Sequence, residues 1–170
     1  MNRLTAALLC GALVLVLAPA PAFAATVAGS SKDAKIFRSV TEQDLTEVVT
    51  GEGHAVDEAH PFDAPSVQGK TADGLIFVLM GTDCDVRDVP GCQGIMMQVR
   101  YDSDESVTIE NVNQANLDEA AIATWWDKEN ETVGFTRYMV LDGGVTWLNI
   151  RQNLRVLLSV HGTAVDDVFP

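Results

Sequence analysis

Thr132–His161 reads TVGFTRYMVLDGGVTWLNIRQNLRVLLSVH, and this stretch decides the fold. Phe135, Arg137 and Met139 alternate with Thr136, Tyr138 and Val140, so Thr132 to Leu141 is a strand with two different faces. Asp142-Gly143-Gly144 ends it. Trp147, Ile150, Leu154, Leu157, Leu158 and His161 then recur at i, i+3, i+4 spacing, which predicts a helix over 145–161. Its rise gives a length of about 25 Å, and Gly162 reads as its C-cap.

The pattern extends backward. Ala121 to Asp127 reads as a strand joined to the first by the turn Lys128-Glu129-Asn130-Glu131. Trp125 and Trp126 are adjacent and must point to opposite faces. One is expected in the core. The other suits a partner contact or a homodimer seam, so both are candidate partner-binding residues. Thr108 to Asn116 predicts a short polar helix with Ile109, Val112 and Leu117 on its buried side. Two further strands, Leu75 to Met80 and Gly94 to Tyr101, flank a loop with a Pro90-Gly91 turn signal. Thr41 caps a helix over 41–50, with Leu45, Val48 and Val49 at helical spacing. Residues 51–73 are rich in Gly, Pro, Ala and Asp, with short strands near Ala55-Val56 and Ser66-Val67. The order is helix, hairpin, helix, hairpin, helix. That predicts an α+β domain on an antiparallel sheet rather than a parallel nucleotide-binding fold.

The chain has 170 residues, with 11 Lys+Arg against 24 Asp+Glu, a net charge of −13. Arg3 is followed by an apolar run from Leu4 to Ala18, then Pro19, Pro21 and Ala22-Phe23-Ala24. A basic start, an apolar middle and an A-x-A end predict a signal peptide over 1–24, cut after Ala24. The mature protein is then periplasmic or secreted, with 146 residues and a net charge of −14. No later segment has the apolar length of a membrane span, so no membrane insertion is expected after cleavage. The acidity excludes a nucleic-acid partner, which needs clustered Lys and Arg. Residues 25–40 read as a loose N-terminal segment and 41–170 as a single domain. Cleavage removes Cys10 and leaves Cys84 and Cys92, an even count in an oxidising compartment, which predicts a disulfide. Closing that loop of about nine residues stabilises by roughly 2–3 kcal/mol in the chain-entropy account.

Candidate chemistry is sparse. His54, Asp57, Glu58 and His60 carry zinc-ligand types, but Gly51, Gly53 and Pro61 place them in a loop, without the i, i+4 helical presentation of a zinc motif. Asp83-Cys84-Asp85 and Asp102-Ser103-Asp104 begin like calcium loops but lack Gly at position 6 and Glu at position 12. There is no nucleophile elbow and no Gly-rich phosphate loop, and no cofactor is implied.

The segment from Cys92 to Phe169 resembles the YbjN-like family of bacterial sensory transduction regulators. The likeness is carried by Val112-Asn113-Gln114-Ala115-Asn116, by Phe135 to Thr146 with its Leu-Asp-Gly-Gly-Val-Thr run, and by Asn149-Ile150. The cysteine-paired hairpin is similar to that of exported members, and residues up to about Pro65 match loosely. The resemblance implies a type III secretion chaperone-like fold, of a kind that dimerises and binds proteins. It implies no enzymatic activity, so no catalytic residue is carried over. Asn113, Asn116, Asp142, Gly143, Gly144 and Asn149 are then motif residues with structural roles, Asn at helix ends and Gly-Gly at a positive-φ corner. The expectation is an exported, non-enzymatic domain that binds a protein partner, with homodimerisation among its forms, in an envelope or stress-related role. The alternatives are a metal-assisted hydrolase at His54 and His60, or a small-ligand or cation binder at the acidic turns.

Overall fold

A computed structural model describes residues 32–59, 62–86 and 88–170. Residues 1–31, His60, Pro61 and Arg87, and with them the expected leader, lie outside the described residues. The elements in chain order are β1 (Ile36–Phe37), α1 (Glu42–Gly51), β2 (Ala55–Ala59), β3 (Ser66–Lys70), β4 (Ile76–Cys84) and β5 (Cys92–Asp102). Then come α2 (Ile109–Asp118), β6 (Ala123–Asp127), β7 (Thr132–Val140), β8 (Val145–Thr146) and α3 (Trp147–Val168). The architecture is α+β. Six strands pair antiparallel in the order β2-β3-β4-β5-β7-β6, and β1 pairs with β8 beside them.

The two expected hairpins, β4-β5 and β6-β7, form the middle and one edge of this sheet. The weakly marked strands near Ala55 and Ser66 are five residues each, and they add a third hairpin on the other edge. Gly69 hides this from the strand pattern. It sits under the Phe77 ring, where a Cβ would lie 2.3 Å from Cζ. Gly81 likewise lies inside β4 rather than at its end, because a Cβ there would lie 2.4 Å from Cys92 Sγ.

Residues 32–40 are not loose. Ile36 and Phe37 pair with Thr146 and Val145, Phe37 packs on Trp147 with ring centroids 4.7 Å apart, and Val40 bridges Cys92 by two backbone hydrogen bonds. The apolar Ile36, Phe37 and Val40 are what tie this segment down. α1 starts at a capping box in which the Thr41 side chain accepts from the Asp44 amide and the Asp44 carboxylate accepts from the Thr41 amide.

α3 outruns its expected end by seven residues, and Gly162 is an interior residue, not a cap. Trp147, Ile150, Leu154, Leu157, Ala164 and Val168 are buried along one stripe, and the burial of the last two offsets the cost of about 1 kcal/mol for an interior glycine. Val145 and Thr146 leave the helix to form β8, and Thr146 caps α3 by accepting from the Asn149 amide. α2 also differs from expectation. Ile109 and Leu117 are 62% and 68% exposed, and Ala115 is its buried residue.

One face of the sheet builds the core. Val67, Phe77, Leu79, Ile95, Met97, Val99, Val133 and Phe135 are buried in one cluster with Leu45 and Val48 of α1, Ala115 of α2, and Ile150 and Leu154 of α3. Arg151 ties the helices together, pairing with Asp33 at 3.0 Å, with Glu52 and with the Gly51 carbonyl, while Arg155 pairs with Glu52 as well. Cys84 and Cys92 are directly opposite in the register and form a disulfide. Among the described residues no helix is long and apolar enough to cross a membrane.

Candidate protein-binding face

Because a strand alternates, the residues not used by the core define a second face. The register lines them up across the sheet. Met80, Met96 and Tyr138 form one row, Val78, Gln98, Thr136 and Ala123 the next, and Arg100, Gly134 and Trp125 a third. Val78 is buried yet lies outside the core cluster, which marks it as belonging to this side. The side chains that build the core with the helices all come from the opposite face. On the β3 side this face is met by the segment 62–65, where Phe62 donates its amide to Ser66 Oγ and sets its ring 5.1 Å from the Arg100 guanidinium.

A polar ladder runs through the middle. Arg100 Nε donates to Gln98 Oε1 at 2.9 Å, and Gln98 Nε2 donates to Thr136 Oγ1 at 2.9 Å. Trp125 Nε1 donates to the same oxygen at 2.8 Å. These bonds hold the Trp125 ring flat over Gly134, where any Cβ would meet it at 2.0 Å. Nearer the disulfide turn the face becomes apolar and more open. Tyr138 and Val140 are 49% and 60% exposed, next to Met80 and Met96. Tyr138 donates its hydroxyl to Asp83 Oδ2 at 3.1 Å and lies 3.0 Å from Thr82 Oγ1. The arrangement joins rigid aromatic groups, flexible thioethers and oriented polar groups on one surface, a composition suited to holding another polypeptide.

The two tryptophans do point apart. Trp125 is on this open face, and Trp126 packs at the rim of the core with Lys128 Nζ 4.3 Å from its ring centre. The indole nitrogen of Trp126 is buried with no hydrogen-bond partner. Asn116 reaches from α2 to β6, donating to the Thr124 carbonyl and accepting from its amide, both at 2.9 Å. It therefore occupies the outer edge of β6 as a strand residue would. Asn113 is exposed. Asn149 supports α3 by accepting from Asn153 Nδ2. Gly143 and Gly144 have φ of 90° and 102°, and Gly144 donates to the Leu141 carbonyl at 2.8 Å to close the corner after Asp142.

His54 sets its ring edge-on to Phe77 at 5.3 Å and lines a cleft of about 550 Å³ with Glu52, Thr71, Asp73 and Arg155. The Thr71 hydroxyl, then the Asp73 backbone, hold the Asp73 carboxyl below its ordinary range. Among the described residues no three His, Cys, Asp or Glu side chains are grouped to hold a metal. The acidic turns satisfy themselves. Asp104 accepts from the Ser106 amide at 2.8 Å and from its hydroxyl, and Asp85 Oδ1 accepts from the Gly91 amide at 3.0 Å.

This arrangement, with three helices on one face of an antiparallel sheet and the other face uncovered by helices, defines a type III secretion chaperone-like α+β domain. The fold is similar to that of YbjN from E. coli, with a TM-score of 0.60 at 11% identity, over 77% of this chain and 92% of that one. It is also similar to a chain of the ExsC–ExsE complex, with a TM-score of 0.52 at 10% identity, over 76% and 92%. A chain of the HopA1–SchA chaperone–effector complex gives 0.47 at 8% identity, over 71% and 93%. Among curated protein sequences none matches. The chain belongs to the YbjN family, described as "Putative bacterial sensory transduction regulator", whose model matches residues 41–169. The match takes in α1 and the β2-β3 hairpin, which the loose likeness before Pro65 did not reach.

Proposed function

We propose that the protein is an exported, non-enzymatic domain that holds another polypeptide on the uncovered face of its sheet, in an envelope or stress-related regulatory role. The observation that carries this reading is the face itself. Its exposed Tyr138 and Val140 adjoin Met80 and Met96, on the side of the sheet opposite the helix-packed core. A contiguous apolar patch on an otherwise strongly charged chain marks an interaction surface. The similarity to a chain of the ExsC–ExsE complex supports the same reading, because that chain comes from a complex of two different proteins. The export reading is supported by the Arg3, Leu4–Ala18 and Ala22-Phe23-Ala24 pattern and by a disulfide that an oxidising compartment would maintain.

The test is co-purification from the exported fraction of the native host. The mature chain, starting at Ala25, is expected to carry one stoichiometric partner protein. Changing Tyr138→Lys together with Val140→Lys is expected to release it, with thermal unfolding moved by no more than a few degrees. Retention of the partner by that variant, or recovery of the chain from the cytoplasm with its leader intact, contradicts the reading.

A further inference from the structure

On the open face the polar ladder ends in a cation. Arg100 is exposed, and its Nε and Nη2 both donate to Gln98 Oε1, the first at 2.9 Å. That amide is buried and held in turn by Thr136, so it fixes the plane of the guanidinium. The Phe62 and Trp125 rings flank the group, their centres 5.1 and 5.8 Å from its central carbon. The Thr136 hydroxyl that holds Gln98 also holds the Trp125 indole nitrogen, so ring and cation are oriented by one network.

Two features of Arg100 point to a ligand. The first is its charge. Arg151, Arg155 and Lys32 each meet a carboxylate, whereas Arg100 is oriented by a neutral amide and has no carboxylate in ion-pair reach among the described residues. The second is its free edge. Gln98 takes the edge formed by Nε and Nη2, and the edge formed by Nη1 and Nη2 has no partner among the described residues. That edge is a planar two-donor fork, which matches the two oxygens of a carboxylate. The flanking rings keep water from the faces of the group, which strengthens a charge-assisted bond made at its edge.

Its place on the face adds a spacing. Met96 and Arg100 are four residues apart on β5 and point to the same side, about 13 Å from each other by the rise of a strand. The net charge of −13 disfavours a partner that is acidic throughout. A single carboxylate among apolar residues is what this fork selects, and it sets register rather than attraction.

We propose that Arg100 receives an aspartate or glutamate side chain of the polypeptide bound on the open face, an apolar residue of the same segment lying on Met96 and Tyr138. In an extended segment those two residues are four positions apart. The inference rests on the reading of the face as a polypeptide-binding surface, and it adds the chemistry of the partner: one acid at a fixed distance from an apolar residue.

The experiment selects random nonapeptides displayed on phage against the purified mature protein. The best binder is then made with both ends capped and a rhodamine label, beside an analogue in which the amide replaces the acid. Selected peptides are expected to carry Asp or Glu four positions from an apolar residue. In fluorescence anisotropy the acidic peptide is expected to bind about tenfold more tightly than its analogue. Against Arg100→Gln the two should bind equally, at the affinity the analogue has for the parent protein, which also shows that the variant is folded. Arg100→Lys keeps the charge without the fork and is expected to restore only part of the difference. Apolar peptides selected without an acid, or an acidic advantage that survives Arg100→Gln, overturn the role of Arg100 while the face reading stands. A selection that enriches no peptide, or only peptides that bind the Tyr138→Lys, Val140→Lys variant as tightly as the parent, overturns both. Displacement of the acidic peptide by an equal concentration of acetate would assign Arg100 to free carboxylates and also overturn the proposal.

Discussion

Gly134 has no side chain because the Trp125 ring lies where its Cβ would be. In return the ring gains a fixed position on the open face, pinned by the Thr136 hydroxyl. A tryptophan held this way loses little freedom when a partner covers it, which is the physical use of a rigid aromatic at an interface. Carboxylates do the equivalent work in the turns. The Ser106 side chain and then its backbone amide hold Asp104 below the ordinary carboxyl range, and Asn130 does the same to Asp127 at the β6-β7 turn. A depressed folded-state pKa gives stability that is present above the unfolded value of about 4 and is lost as pH falls through the folded value. The melting temperature is therefore expected to be level above about pH 5 and to fall below about pH 4. The fall should be shallower in the double variant Asp104→Asn, Asp127→Asn, as followed by circular dichroism. An acid limb of equal slope in both proteins would contradict this. At this scale the sequence was legible where one residue type implies one geometry, as with Gly143-Gly144 at the positive-φ corner. Gly69, Gly81 and Gly134 were not legible, since a glycine under a neighbouring ring or sulfur looks the same as a glycine in a turn.

α3 illustrates what an element's periodicity can override. The sequence has a good stop signal at Gly162, yet the stripe continues through Ala164 to Val168 and the chain stays helical. Gly162 is exposed, and a Cβ there would meet nothing within 4 Å. Gly162→Ala is therefore expected to stabilise the protein by about 1 kcal/mol, measured by urea unfolding. A loss of stability would mean that the helix ends there in a left-handed cap. α2 shows the opposite case. Its apolar residues predict a buried side, but Ala115 is the buried contact, and Asn116 fastens the helix to β6 through the Thr124 backbone. Both sheet edges are guarded. Asn116 occupies one, and β2 carries a bulge between Val56 and Glu58 on the other. Asn116→Leu is expected to cost about 1–3 kcal/mol and to expose the β6 edge. Light scattering should then show a larger mass than that of the parent at the same concentration. Unchanged stability and mass would remove Asn116 from that role. The N-x-x-N spacing pointed to this residue, but its contact is eight residues away on another element, which spacing alone does not convey.

Taken as one molecule, the chain separates its tasks by face. The helices pack on one side of the sheet and build the core there, while the other side carries the open rows of β4, β5 and β7. The fold was largely legible because strand alternation and helical spacing are local patterns. The open face was half legible. The alternation placed Tyr138 and Val140 on the side away from Phe135 and Met139, but only the register assigned Trp125 rather than Trp126 to that side and brought these residues into rows with Met80, Met96 and Arg100. With both edges guarded, a partner is expected to lie across the face rather than extend the sheet. Site-specific photo-crosslinking in the native host tests this most directly. A photoreactive residue at position 138, on the open face, is expected to give a single discrete adduct with another polypeptide. The same residue at position 152, exposed on α3, is expected to give none. Adducts of the same kind from both positions, or from 152 alone, would contradict the assignment of the sheet face as the binding surface.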